Sequence, residues 1–203
     1  MNNSYYLIRH GQTDWNLQGR WQGSIDRPLN ATGEAQAAAI ASRLANLPIK
    51  AVYSSPMKRT MGTAQAIAEQ HQLPIQYEYD LRERSAGIFE GLTKRDIERD
   101  YPESYAQMKH GIMIPPKGET SEMVQARAVP IFERIIADHP DESVVIVSHG
   151  GTIGTLIAHI LCLPLEHSHR FSVYANCALT RIENTERGLR LMQLNDLGHL
   201  SSA

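Results

Sequence analysis

Tyr5-Tyr6-Leu7-Ile8-Arg9-His10-Gly11 and Ser143-Val144-Val145-Ile146-Val147-Ser148-His149-Gly150 are the two stretches whose reading decides the fold. Each is a short apolar run that ends on a polar residue, a histidine and a glycine. Continuous apolar runs of this length read as strands buried on both faces. The segments between them carry helix signals. Thr32 is expected to cap an alanine-rich helix from Glu34 to Leu47, and Ser55-Pro56 to open another from Met57 to Gln70. Ala51-Val52-Tyr53 and Ile75 to Tyr79 read as two further strands. Thr93-x-x-Asp96 resembles a capping box. A long helix is expected from about Thr120 to Asp138, where Pro130 calls for a kink or a break. An apolar helix then runs from His149 to Leu163. The tail reads as strands around Phe171 to Tyr174, Ala178 to Ile182 and Leu189 to Leu194, the last two joined by a turn near Arg187-Gly188. Strands alternating with helices predict an α/β sandwich, with antiparallel strands added late.

Composition narrows the class. A chain of 203 residues with 42% hydrophobic and 21% charged residues is expected to form one globular domain. Lysine and arginine number 20 against 22 acidic residues, so there is no global basic field for nucleic acid. Cys162 and Cys177 lack metal or redox spacing and read as small buried hydrophobes in a reducing compartment. The first residues lack the pattern of a signal peptide, and the most apolar stretch, Thr152 to Leu165, is too short to span a bilayer. A soluble cytoplasmic protein with no membrane partner is expected.

The matched endings matter because ligands of open α/β sheets bind outside the carboxyl ends of the strands. His10 and His149 can therefore face one pocket. Singly, a histidine at a strand end is more often a structural loop residue. A metal centre is disfavoured: the sequence has no H-E-x-x-H, and Arg9 beside His10 repels a cation. A guanidinium attracts an anion instead, and its fork suits phosphate oxygens. Arg59, in the first turn after Ser55-Pro56, adds a second, although an arginine there is commonly just solvated. There is no P-loop and no G-x-S-x-G elbow, and His149 takes the first glycine position of the partial dinucleotide fingerprint at 149–154.

At these residues the chain resembles the histidine phosphatase superfamily, the phosphoglycerate mutase-like family. The resemblance rests on Leu7-Ile8-Arg9-His10-Gly11-Gln12-Thr13-Asp14-Trp15-Asn16, then Gln22-Gly23, Thr32-Gly33-Glu34-Ala35 and Ser54-Ser55-Pro56-Met57-Lys58-Arg59-Thr60. It continues through Leu81-Arg82-Glu83, Gly87-Ile88-Phe89-Glu90-Gly91, Lys117-Gly118-Glu119-Thr120 and Val147-Ser148-His149-Gly150-Gly151. The ordered set covers about residues 5 to 165. It implies a three-layer α/β/α sandwich with a mostly parallel central sheet, forming one domain over 1–203 with a lid-like insertion at about 85–120. It also implies chemistry. His10 would attack phosphorus in line and form a phosphohistidine, without metal or other cofactor. Arg9, Arg59 and His149 would hold the phosphoryl oxygens, and Asn16, Gln22 and the amides of Gly23 and Gly150 would complete the cradle. Glu83 would protonate the leaving alcohol and then activate water. The resemblance selects Glu83, since Glu78, Asp80 and Glu90 are close neighbours.

The family divides between phosphatases and cofactor-dependent phosphoglycerate mutases. The mutases resemble one another in a longer segment after the acid motif, with paired arginines. Here Tyr101 to Lys117 contains no arginine, which favours a phosphatase of small phosphorylated metabolites, with the mutase as runner-up. A non-catalytic phosphate- or partner-binding relative ranks last, because every reacting residue is kept. Ser85, Phe89, Met108, Met113 and Ile114 read as a partly apolar lid, and residues around Phe171 to Asn176 as a second source of selectivity. Edge pairing into a homodimer is compatible with such a sheet.

Overall fold

The computed structural model describes residues 3–109 and 115–200, and the side chains of 108, 109, 169 and 170 are not described. The expected lid residues Met113 and Ile114, and the side chain of Met108, lie outside the described residues. Strand β1 (Ser4–Arg9) opens the chain, followed by α1 (Asp14–Leu17), α2 (Ala31–Leu44), β2 (Ile49–Ser54), α3 (Lys58–His71) and β3 (Ile75–Tyr77). Two short helices, α4 (Lys94–Asp100) and α5 (Pro102–Lys109), precede the long α6 (Ser121–Asp138). Then come β4 (Ser143–Ser148), α7 (Gly150–Ile160), β5 (Leu179–Thr185) and β6 (Gly188–Asp196).

The six strands form one sheet in the order β3-β2-β4-β1-β5-β6. The first four are mutually parallel, β5 runs antiparallel to them, and β6, antiparallel to β5, returns to their direction. The side-chain period of two divides each central strand between two cores. Tyr5 and Leu7 of β1 pack with Val144 and Ile146 of β4 against Phe132 and Ile135 of α6 and Ile153 and Leu156 of α7. Their neighbours Tyr6, Ile8, Val145 and Val147 pack on the other face against Ile40 and Leu44 of α2 and Ile67 of α3. Helices thus cover both faces, giving the three-layer α/β/α sandwich. A third, smaller core joins Ala86, Phe89, Ile97 and Tyr105 to Trp21 and Tyr101.

Several local expectations change. Asn30 rather than Thr32 caps α2: its backbone is extended and its side chain accepts from the Gly33 N–H at 2.9 Å. Helix α3 starts two residues after Pro56, and no residue of its own caps it. Asp26, distant in sequence, accepts from the Lys58 N–H at 2.7 Å and supplies the anion that a helix N-terminus favours. Helix α6 is unbroken through Pro130. Pro130 and Ala126, whose carbonyl the missing N–H would have engaged, are both exposed, so water can take that bond. Phe171 to Tyr174 forms no strand, and Cys162 is exposed, whereas Cys177 is buried. Among the described residues no helix is long and apolar enough to cross a membrane.

Candidate active site

The register of the two central strands builds the site. Arg9 pairs with Ser148 across β1 and β4, so the following residues, His10 and His149, emerge side by side at the carboxyl ends. The His10 N–H donates to the Ser148 carbonyl at 3.0 Å, and the two ring centroids lie 5.3 Å apart. Strand alternation has turned both histidines out of the aliphatic core and into a polar layer above it.

His10 is held on three sides. Its Nδ1 lies 2.7 Å from the Gly11 carbonyl, a pure acceptor, so Nδ1 carries the proton and donates. Nε2 is then the basic nitrogen, and it makes no hydrogen bond among the described residues. The Gly11 N–H donates to Thr63 Oγ1 at 2.9 Å, which fixes the peptide that orients the ring. Asn176 Nδ2 donates to the His10 carbonyl at 3.1 Å and to Asn16 Oδ1 at 3.2 Å. Burial, then the charges of Arg9 and Arg59, hold the His10 imidazole well below the usual histidine range. It is therefore neutral at neutral pH.

Arg59 is wholly buried rather than solvated. Its Nη1 donates to the Ile25 carbonyl and its Nη2 to the Gly23 carbonyl, both at 2.9 Å, while Nε donates to His149 Nδ1 at 3.2 Å. Burial pulls this guanidinium down to about 10, against partial support from Glu83 and Asp26, and it stays charged at neutral pH. His149 has Nδ1 as acceptor, so its Nε2 carries the proton and donates to Ser55 Oγ at 3.0 Å. Ser55 thus serves the site and lies two residues before Met57, the N-cap position of α3. Burial, then Arg59, His10 and Arg9, holds the His149 ring well below its ordinary value too. Among the described residues, Arg9 Nε is buried with no partner, a donor left for something anionic.

Of four neighbouring carboxylates, only Glu83 reaches the pocket. Glu78 pairs with Arg134 at 2.6 Å and Asp80 with Arg82 at 2.9 Å. Glu90 is occupied by Ser24, Ser85 and Ala86. Glu83 accepts from the Arg84 N–H at 2.8 Å through Oε1 and from the Gly151 N–H at 3.2 Å through Oε2. A Cβ on residue 151 would come within 2.6 Å of Oε1, so the glycine makes this approach possible. Behind Glu83, Arg127 donates to the carbonyls of Asp80, Arg82 and Glu83 and forms a two-point pair with Glu119. Burial raises the Glu119 carboxyl, but the Arg127 and Ser85 hydrogen bonds outweigh that and hold it below its ordinary value.

A cavity of about 400 Å³ opens over these groups. Arg9, His10, Asn16, Gln22, Gly23, Arg59 and Glu83 all line it. His149 and Gly150 lie one layer behind, and Gly151 takes the place at the wall. Asn16 Oδ1 is used in capping α1 from Thr13, which leaves its amide nitrogen for the pocket. Gly19, Arg20, Trp21 and Arg84, none of them assigned a role from sequence, complete the wall with Ala86 and Tyr174, which fall in the two regions read as sources of selectivity. Trp21 and Arg84 sit next to the motif residues Gln22 and Glu83, the one signal that could have found them. Among the described residues no group of three or more His, Cys, Asp or Glu side chains is placed to hold a metal ion.

The model of the histidine phosphatase superfamily (branch 1) matches residues 5–197. The chain belongs to this superfamily. The Bacillus subtilis (strain 168) phosphatase PhoE is 35% identical over 96% of this chain and 95% of its own. A metal-independent phosphoserine phosphatase of Arabidopsis thaliana is 33% identical over 97% and 82%. A solved mycobacterial glucosyl-3-phosphoglycerate phosphatase, complexed with VO3, superposes with a TM-score of 0.89 at 30% identity, covering 96% of this chain and 100% of that one. This histidine phosphatase therefore shares fold and length with proteins named as phosphatases.

The two depressed imidazoles have a consequence for stability. In the unfolded chain both rings take up a proton as the pH falls through about 6.5, whereas in the folded protein they stay neutral. The unfolded state then binds more protons, so stability is present above that pH and is lost below it. Each ring contributes a slope of about 1.4 kcal/mol per pH unit below 6.5. Denaturant unfolding of the native protein and of His149→Asn between pH 7 and 5 should show a shallower fall in the variant. Equal slopes would contradict the assignment of His149 as a buried neutral ring.

Proposed function

We propose that this histidine phosphatase hydrolyses small phosphomonoesters, without a metal ion, through a phosphohistidine on His10. The observation that carries the reading is the tautomer of His10, whose Nδ1 proton is given to the Gly11 carbonyl so that Nε2 enters the pocket as a neutral base. Two arginines stand where negative charge would gather, Arg59 fixed by three protein acceptors and Arg9 with a buried donor unused.

The sequence of steps balances on these residues. His10 Nε2 attacks phosphorus as the ester P–O bond breaks, and protonated Glu83 gives its proton to the departing alkoxide. Glu83 carboxylate then takes a proton from water, whose oxygen attacks phosphorus as the N–P bond breaks. Inorganic phosphate leaves and His10 returns to its neutral form. Arg9 and Arg59 offset the charge on the phosphoryl oxygens, with Asn16, Gln22 and the Gly23 amide beside them. His149 acts through Arg59, from whose Nε it accepts, and Arg84 and Ala86, which follow Glu83 in the chain, wall the leaving-group side.

Phosphoglycerate mutase is the second reading, since a phosphoglycerate mutase-like protein is also among the relatives. The stretch Tyr101 to Lys117, which has no arginine for a substrate carboxylate, favours the phosphatase. Release of phosphate from a generic aryl phosphate in excess chelator decides the matter. Release is expected to persist. Loss of release with chelator, restored by a divalent metal, would overturn the metal-free reading.

A further inference from the structure

We propose that Glu90 is a positioning residue whose carboxylate clips the loop that fixes Arg59 to the loop that carries Glu83. It rests on the phosphatase reading above. Glu90 does not line the cavity, yet its Oε1 accepts four hydrogen bonds. Two come from Ser24, from N–H at 2.9 Å and Oγ at 2.7 Å. Two come from the far wall, from Ser85 Oγ and the Ala86 N–H, each at 3.1 Å. A carboxylate held by donors from both sides forms charge-assisted bonds, stronger than neutral ones.

What the two loops do gives the clip its meaning. Ser24 lies between Gly23 and Ile25, whose carbonyls receive the two Arg59 Nη groups. Ser85 and Ala86 directly follow Glu83 and Arg84, and the Ser85 N–H is itself held by Glu119 at 3.0 Å. One oxygen thus sets the distance between the wall that grips the phosphoryl group and the wall that supplies the proton. Gly23 shows how close the approach is: with φ of +51°, a Cβ there would fall 2.3 Å from Glu90 Oε1. Glu90 is itself held from behind. The Trp21 N–H donates to the Leu92 carbonyl and the Gly91 N–H to the Trp21 carbonyl, at 2.9 and 2.8 Å, while Phe89 sits in the small core.

The test compares the native protein with Glu90→Ala and Glu90→Gln, using an alkyl and an aryl phosphomonoester, inhibition by inorganic phosphate, and the thermal midpoint. Glu90→Ala should lower kcat/KM by roughly 10- to 100-fold for the alkyl ester, the scale of a displacement of about 1 Å. The fall should be smaller for the aryl ester, which needs little help in leaving, and phosphate should inhibit more weakly. Glu90→Gln keeps an acceptor oxygen in place and should recover most of the loss. A carboxylate that only tied two surface loops together would lower the thermal midpoint and leave these ratios alone; that result, or native kcat/KM in Glu90→Ala, overturns the proposal. If Glu90→Ala does not fold, Ser24→Ala with Ser85→Ala removes two of the four donors, and the same pattern must appear in smaller form. A native protein that binds phosphate but hydrolyses neither ester would sink the phosphatase reading instead. The clip would then be judged on phosphate affinity, which Glu90→Ala must weaken.

Discussion

Replacing His10 with alanine is expected to lower kcat by about 10⁵-fold or more, the scale seen when a covalent nucleophile is removed. The ring is buried among strand ends and makes one hydrogen bond through Nδ1, to the carbonyl next along its own chain. Its loss leaves a cavity under Arg9 and beside His149, but the cores on either side of the sheet do not include it. Folding should therefore survive while turnover does not. Phosphate release at fixed enzyme concentration, with the thermal midpoint as control, measures this. A folded His10→Ala variant that turns over at the native rate would remove His10 from the chemistry.

The second large effect belongs to Glu83. Glu83→Gln keeps one of the two backbone contacts that hold the side chain, since its single amide oxygen can accept from Gly151 or from Arg84, but it cannot give a proton to a leaving alkoxide. The expected loss in kcat is about 10²- to 10⁴-fold for alkyl phosphates, the usual worth of a positioned acid. It should shrink steadily as the leaving alcohol becomes more acidic. Rates for a series of phosphomonoesters, plotted against leaving-group acidity, give that slope for both proteins. Parallel lines would mean that Glu83 holds the pocket together and does not move the proton.

Much of this arrangement was legible in the chain. Uninterrupted apolar runs identified β1 and β4, and their matched endings, each a polar residue followed by His-Gly, raised the expectation that His10 and His149 face one pocket. The pairing of Arg9 with Ser148 makes that likeness physical. Local signals failed where a distant partner competed. Ser55 looked like a helix cap, but the helix begins only at Lys58, the Ser55 hydroxyl accepts a hydrogen bond from His149, and Asp26 supplies the cap from another loop. Thr32 gave way to Asn30, two residues earlier, for want of the right backbone at its own position. The burial of Arg59 was hidden because its acceptors, the carbonyls of Gly23 and Ile25, carry no side-chain signature at all.

The choice of Glu83 shows the limit most clearly. Four carboxylates stand within thirteen residues from Glu78 to Glu90, and resemblance alone picked one. The fold explains the choice, because Arg134, Arg82 and the pair Ser24 and Ser85 occupy the other three. Asn176 and Tyr174 come from an irregular segment without periodicity, so the sequence could mark their region for selectivity but not their contacts.

The central claim is a covalent phosphorus–nitrogen bond at His10. Mixing the native protein with an excess of substrate and quenching in alkali, where phosphohistidine survives, allows the adduct to be located by peptide mass spectrometry. The phosphoryl group is predicted on the peptide containing His10, absent from His10→Ala and longer-lived in Glu83→Gln. Turnover by the native protein with the phosphoryl group on no residue, or on a residue other than His10, would contradict the account.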